Sequence, residues 1–155
     1  MRHVTVAKAL QGNSVKVAVV VSLFNENITK KLLEGAIGRL LMAGFNEDDI
    51  LVVEVPGAVE IPLTCQRILQ DKKYHGVIAL GAVVRGETTH YDYVCQQVSY
   101  GCQKVSLASN VPVIFGVLTT EDEEQAYDRL GGRHGHKGEY AADCLVAMLN
   151  VLKLL

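Results

Sequence analysis

Residues 85–94, RGETTHYDYV, concentrate polar side chains directly after the apolar run GVIALGAVV. Gly86 lets the backbone approach a ligand closely, and Thr88 or Thr89 can cap a following helix. The start of that helix would offer free N–H groups to an anion such as phosphate. His90 stands at the same place, and histidine is the side chain that moves protons near neutral pH. The alternative is a capping threonine followed by a solvated histidine.

A second polar stretch, RLGGRHGHK, places Arg129, Arg133 and Lys137 four residues apart. A regular helix would stack these side chains on one face, but the glycines between them argue against an unbroken helix. Two positive charges would suit a bound phosphate, because arginine can contact it in a bidentate way. The alternative is a solvated turn between two helices.

Three further side chains stand at or near the ends of apolar runs. Glu60 follows the restricted turn VPGA, although an acid at the start of a helix is also common for stability alone. Phe24 directly follows an apolar run, where it is placed to stack on a flat heterocycle. Phe115 lies inside another apolar run, and core packing is the interpretation that the residues favour.

The elements that carry these side chains alternate along the chain. Apolar, β-branched runs predict strands at residues 15–22, 50–55, 76–84 and 111–119. Helical periodicity predicts helices at residues 28–43, 60–70, 91–109, 121–130 and 139–155. Continuously apolar strands are typical of parallel sheets covered on both faces. The prediction is an α/β fold, a three-layer sandwich with a flavodoxin-like, four-stranded parallel sheet flanked by helices.

In such sheets, ligands bind beyond the carboxyl ends of the strands. The polar segments that follow the four predicted strands should therefore converge on one edge. Every α/β domain has loops there, and some of them are only loops. The convergence nevertheless makes this edge the predicted site.

The composition limits the classes of protein to which the chain can belong. The 155 residues fit a single domain, 1–155, and a net charge of −2 argues against nucleic acid as a partner. No run has the length of a membrane span and no secretory signal is present, so a cytoplasmic location is expected.

The four cysteines form no CxxC pair, which disfavours zinc and favours buried free thiols. Residues 1–14 form either a frayed tail or an arm that adds a strand to a neighbouring subunit.

Five ordered motifs carry a family resemblance. LFNENIT, VPGAVEIP, ALGAVVRGETTHYDYV, PVIFGVLTTE and EQAYDRLGGRHGHKG resemble those of the 6,7-dimethyl-8-ribityllumazine synthase family, from about Val15 to Leu152. The resemblance implies the penultimate step of riboflavin biosynthesis, a transferase reaction. 5-Amino-6-(D-ribitylamino)uracil condenses with 3,4-dihydroxy-2-butanone 4-phosphate, and phosphate and water leave. It also implies that no metal or organic cofactor is needed.

The resemblance implies a role for each matching residue. His90 would transfer protons, and Arg129 would bind phosphate together with Gly86, Glu87 and Thr88. The pyrimidine and its ribityl chain would be bound by Phe24, Asn25, Ala58, Val59, Glu60, Ala82, Val83, Val84, Phe115 and Lys137. Of these, Phe115 and Lys137 would come from the neighbouring subunit, so the site would lie at a subunit interface. The implied assembly is a homopentamer, and we expect the pentamers to form an icosahedral capsid.

Several positions depart from the family pattern. Glu87 stands where a small residue is common, and we expect its side chain to face away from phosphate. His136 stands where asparagine is common, and Arg133 keeps the positive charge of a lysine. Val59 stands where an aromatic residue is common, which leaves a smaller wall beside Glu60.

Two other functions compete with the enzyme. The first is a non-catalytic protein on the same scaffold that binds flavin or lumazine, or forms a shell. The presence of both His90 and Arg129 favours the enzyme, because a binding protein needs no proton shuttle. The second is an unrelated phosphate-sugar enzyme that forms a Schiff base on Lys137, but no sequence feature indicates that this lysine is activated.

Overall fold

The computed structural model of the chain describes residues 1–5 and 15–155. The strands of its main sheet are β1 (Val17–Ser22), β2 (Ile50–Val55), β3 (Gly76–Val84) and β4 (Val113–Thr120). All pairings are parallel, and the strand order is β2-β1-β3-β4. β2 and β3 have their predicted bounds, whereas β1 and β4 each begin slightly later than predicted. The predicted four-stranded parallel sheet is confirmed.

Five helices and a small antiparallel pair complete the described structure. The helices are α1 (Glu26–Met42), α2 (Ile61–Gln70), α3 (His90–Ser109), α4 (Glu123–Tyr127) and α5 (Lys137–Lys153). The pair consists of β5 (Leu130–Gly132) and β6 (Gly135–His136). Short 3₁₀ turns at Glu47–Asp49 and Ala58–Glu60 precede β2 and α2.

The two central strands, β1 and β3, are buried on both faces, as their continuously apolar sequences predict, whereas the edge strands β2 and β4 each have exposed residues. Every residue of β1 is buried, and so is all of β3 except its last residue. One core cluster joins Val19 of β1 to Leu32 of α1 and Leu145 of α5. The other joins Val20 to residues of α2 and α3, including Val98. Because adjacent strand residues point to opposite faces, the helices cover both sides, and the three-layer sandwich is confirmed.

The helix predicted at residues 121–130 is much shorter than expected. α4 begins after Asp122, whose carboxylate accepts a 2.8 Å hydrogen bond from the Gln125 N–H, and it ends at Tyr127. Gly131 and Gly135 have φ values of 97° and 71°, in the left-handed region that glycine adopts readily. The chain therefore turns into the β5–β6 pair instead of continuing as a helix. Arg129, Arg133 and Lys137 are not stacked on one helical face.

The cysteines follow the prediction only in part. Cys65 and Cys102 are buried between α2 and α3, Cys95 is half-buried, and Cys144 is exposed on α5. The prediction of a buried thiol is therefore wrong for Cys144. Burial raises the pKa of the Cys102 thiol to about 11, and burial also raises that of Cys65, with the neighbouring Cys102 adding to it. At neutral pH these two side chains are protonated and pack as small apolar groups.

Two predictions concern features beyond the core. In the part of the chain that is described, no helix is long and apolar enough to cross a membrane. The predicted N-terminal arm falls mostly on residues 6–14, which lie outside the described residues. Its pairing with a neighbouring subunit stays a prediction.

Candidate active site

The carboxyl ends of the four strands lie at one edge of the sheet. The register pairs Ser22 with Val55 and Val84 with Thr120, so β1 ends together with β2 and β3 ends together with β4, while β3 continues a few residues past the end of β1. Backbone hydrogen bonds continue the pairing past the strands, as in the 2.9 Å bond from the Arg85 N–H to the Thr120 carbonyl. The polar segments that follow the strands therefore converge, as the sequence predicts.

The segment between β3 and α3 is open to solvent. Residues 85–90 are all exposed, and a Cβ atom added to Gly86 would meet no other atom within 4 Å. The Thr88 hydroxyl accepts a hydrogen bond from the His90 N–H at 3.3 Å, whereas Thr89 makes no side-chain cap. Of the two predicted capping threonines, Thr88 is the one that bonds to the helix start. The Asp92 N–H donates to the Thr89 carbonyl at 3.0 Å, and the segment before α3 is exposed.

The segment between β1 and α1 supplies an exposed aromatic ring and an anchored amide. Phe24, two residues after the end of β1, is 71% exposed. Asn25 adopts a left-handed conformation with φ 59°, and its amide donates to the Ala82 carbonyl at 2.9 Å. This bond ties the end of β1 to β3. The Asn25 amide, predicted to hold a ribityl chain, is thus engaged with the backbone at the edge of the site.

The segment between β2 and α2 carries three of the predicted binding residues. Ala58 is buried, while Val59 and Glu60 are exposed. The carboxylate of Glu60 bends back over Gly57, where an added Cβ atom would lie 2.9 Å from Oε2. Gly57 therefore leaves room for Glu60 to stand at the edge of the sheet.

The basic side chains of the second polar stretch have separate partners, although the Lys137 N–H donates to the Arg129 carbonyl at 2.9 Å. Arg129 is half-buried after α4, and its Nη1 donates to the Gln125 carbonyl at 2.8 Å. Arg133 is exposed in the turn between β5 and β6. The Lys137 ammonium lies 4.8 Å from the centre of the Tyr140 ring. Each of the three cations therefore has a different side-chain environment.

Phe115 is not part of the carboxyl edge in its own chain. It pairs with Ala79 in the middle of β4, five residues before Thr120, which is about 17 Å along a strand. Its side chain is 44% exposed, so the interpretation of Phe115 as a core residue is wrong. β4 is an edge strand of the sheet, which leaves this ring at the surface.

His136 has a structural role that the sequence did not reveal. Its Nδ1 accepts a 3.3 Å hydrogen bond from the Glu139 N–H and caps α5. The ring fills the space above Gly35 of α1, where any added Cβ atom would collide with it. A histidine beside glycines in a polar stretch does not distinguish this packing role from a chemical one.

Arg85 and its acidic partners were absent from the predicted site residues. The Arg85 Nε donates to Glu121 Oε2 at 2.7 Å, and this hydrogen bond is the main cause that raises the pKa of Arg85. Its Nη1 lies 3.4 Å from Asp92 Oδ1. An arginine directly after a buried strand, with an acid after the neighbouring strand, is the signal that could have indicated this pair. In the residues that the structure describes, no cluster of three His, Cys, Asp or Glu could hold a metal ion.

The fold and this edge define a class of protein: an α/β sandwich with an exposed histidine and an open helix start at the carboxyl ends of its strands. The sequence model of the 6,7-dimethyl-8-ribityllumazine synthase family matches residues 14–153. A 6,7-dimethyl-8-ribityllumazine synthase of Coxiella burnetii (strain CbuG_Q212) is 54% identical over 141 residues, which cover 91% of this chain and 93% of the relative. The one of Lactiplantibacillus plantarum is 52% identical over 143 residues, covering 92% and 88%.

The chain therefore belongs to the 6,7-dimethyl-8-ribityllumazine synthase family. The predicted family is confirmed, and so is the prediction of an enzyme, a transferase of riboflavin biosynthesis.

Proposed function

We propose that the carboxyl edge of the sheet is the site where 5-amino-6-(D-ribitylamino)uracil condenses with 3,4-dihydroxy-2-butanone 4-phosphate. The product is 6,7-dimethyl-8-ribityllumazine, and phosphate and water are released. The observation that carries this proposal is the exposed His90 at the start of α3, within a chain that matches the family over residues 14–153.

The chemistry needs proton transfer and stabilisation of a leaving dianion. An amine of the pyrimidine adds to the ketone and loses water to give an imine. Phosphate is then eliminated, and the second amine adds to the remaining carbonyl, which loses a second water as the ring closes. His90 moves protons in these steps, because imidazole can both accept and donate a proton near neutral pH.

The phosphate lies at the start of α3 in this proposal. Gly86, Glu87 and Thr88 contribute backbone N–H groups, and the first turn of this 20-residue helix adds its positive dipole end. Arg129 contributes a guanidinium with donors beyond the one bound to Gln125. The open space beside Gly86 supports this placement, because a phosphate oxygen can approach the backbone there.

The pyrimidine stacks on Phe24, whose large exposed fraction leaves its ring free for a flat heterocycle. Ala82, Val83 and Val84 meet the pyrimidine through backbone groups at the end of β3. Ala58, Val59 and Glu60 bind the ribityl chain from the β2 side. Asn25 takes part from the edge, where its amide also holds the Ala82 carbonyl.

Phe115 and Lys137 act in the site of a neighbouring subunit. The position of Phe115, exposed on an edge strand and about 17 Å from the carboxyl edge of its own chain, supports this arrangement. The active form is then a homopentamer with sites at its interfaces, and the pentamers assemble into an icosahedral shell in the cytoplasm. The chain acts as one domain and without a cofactor. Static light scattering that gives only a pentamer or decamer mass would contradict the shell.

Turnover tests the proposed reaction. The purified protein is mixed with both substrates, and the lumazine chromophore and released phosphate are followed together. We expect both products to appear in equal amounts, faster than in the spontaneous reaction. A rate equal to the spontaneous one would overturn the proposal and favour a binding or shell protein.

A further inference from the structure

Arg85, directly after β3, makes two contacts to the end of β4 and two to the first turn of α3. Its backbone N–H donates to the Thr120 carbonyl at 2.9 Å, and its Nε donates to Glu121 Oε2 at 2.7 Å. Its Nη1 lies 3.4 Å from Asp92 Oδ1, in the first turn of α3. Its guanidinium carbon lies 4.3 Å from the centre of the Tyr91 ring. The Arg85 side chain thus contacts Tyr91 and Asp92 of α3 and also Glu121, which follows β4.

The contacts continue from Glu121 towards Arg129. The Glu121 N–H donates to Gln125 Oε1 at 2.9 Å, which fixes the start of α4 against the end of β4. The Gln125 carbonyl in turn accepts the 2.8 Å hydrogen bond from Arg129 Nη1. Arg85 is therefore connected to Arg129 through only two residues, Glu121 and Gln125.

This network fixes the directions of the bonded groups and adds little to the free energy of folding. The side chains of Arg85, Asp92 and Glu121 are 37%, 49% and 58% exposed, and exposed ion pairs add little to folding free energy. A planar guanidinium can, however, bond to two carboxylates and stack on a ring at the same time. A lysine ammonium in the same place keeps the charge, but it cannot bond to both carboxylates and stack on the ring in the same geometry.

We propose that Arg85 is a positioning residue for phosphate binding. It acts through Glu121 and Asp92 to hold the Gly86–Thr88 segment and Arg129 in one arrangement around the phosphate. Glu121 and Asp92 engage two of its N–H donors and balance its charge, so its role is to hold these residues in place and not to bind the phosphate itself. This inference rests on the proposed function, because it concerns the binding of the phosphorylated substrate at that site.

The test compares Arg85→Gln, Arg85→Lys and Glu121→Gln with the unmodified protein. KM for each substrate and kcat are measured, and the affinity for inorganic phosphate is measured by calorimetry. We expect both Arg85 variants and Glu121→Gln to raise the KM for the phosphorylated substrate and the Kd for phosphate by about tenfold, because small misplacements of binding groups are costly. The KM for the pyrimidine should stay within about twofold of its original value, since the same displaced groups do not contact it.

A double variant and a matched control separate positioning from other roles. Arg85→Gln combined with Glu121→Gln should be no worse than either change alone, because both break the same connection. Arg39 is the control, since it also bridges two acids, with contacts of 3.1 Å to Glu139 and 3.2 Å to Asp143. Arg39→Gln should leave the KM for the phosphorylated substrate unchanged.

Three results would overturn the inference. Full recovery of phosphate binding by Arg85→Lys would show that the charge alone matters. Additive effects in the double variant would show that Arg85 does not act through Glu121. An unchanged phosphate Kd in the Arg85 variants would show that Arg85 does not position the site. Urea unfolding midpoints report any loss of folding, and Glu121→Gln tests the same connection if Arg85→Gln fails to fold. Absence of turnover in the unmodified protein would instead overturn the proposed function, while phosphate affinity would still test the role of Arg85.

Discussion

Two polar stretches of the chain each contain glycine and histidine, but they have different surroundings. In residues 85–90, the space beside Gly86 is empty for at least 4 Å. In residues 129–138, an atom added to Gly138 would collide with the Leu32 carbonyl of α1, and one added to Gly135 would collide with the Tyr140 side chain. A glycine beside empty space leaves room for a ligand, whereas a glycine beside packed atoms allows two elements to approach.

The polar side chains of the two stretches differ in the same way. Residues 85–90 are exposed, with His90 accessible at the start of α3. In the second stretch, His136 caps α5 and covers Gly35, and Lys137 lies over Tyr140. The first stretch thus presents its groups to solvent, while much of the second stretch holds α5 against α1.

Gly138→Ala tests the packing role of the second stretch and should have the largest effect. The added methyl group meets the backbone of α1, which cannot move aside without shifting the helix. We expect the free energy of unfolding to fall by about 3 kcal/mol or more, as overpacking against a rigid neighbour does. Urea unfolding measures this loss. A stability equal to that of the unmodified protein would show that the two helices are not in close contact.

His136→Ala should have an intermediate effect on stability. It removes the cap of α5, about 1 kcal/mol, and the ring that fills the space over Gly35, for a total of about 2 kcal/mol. His136→Asn is the matched control, because it keeps an acceptor for the Glu139 N–H and should recover the capping part. Unfolding midpoints and kcat are measured on the same samples. A lower kcat with unchanged stability would assign His136 to the chemistry instead.

Gly86→Ala should have the smallest effect on folding. Its methyl group meets no other atom, so we expect the free energy of unfolding to change by less than about 1 kcal/mol. The same methyl group occupies the approach of the phosphate to the backbone. The KM for the phosphorylated substrate should rise about fivefold, which corresponds to about 1 kcal/mol. An unchanged KM would place the phosphate elsewhere.

The sheet could be predicted from the sequence because its strands have a strong local signal. Continuously apolar runs give the bounds of β2 and β3 and require helices on both faces, and a parallel sheet then brings the strand ends to one edge. The exposure of Phe24 and His90 at that edge follows from the same order of elements.

Features that depend on contacts distant in sequence could not be predicted. The early end of α4 depends on glycines with positive φ, and the role of His136 depends on Gly35, a residue about 100 positions away in the chain. Arg85 attracted no prediction, because its partner Glu121 comes near only when β3 and β4 pair. Local periodicity contains no information on such pairs.

Steady-state kinetics of His90→Ala and Arg129→Ala tests most directly whether the carboxyl edge carries the chemistry. We expect His90→Ala to lower kcat by about a hundredfold or more while leaving both KM values nearly unchanged, because a proton-transfer group acts mainly in the transition state. Arg129→Ala should chiefly raise the KM for the phosphorylated substrate, by about tenfold or more, because it removes a charged contact. An unchanged kcat in His90→Ala, or equal effects of the two changes on substrate binding, would contradict the account.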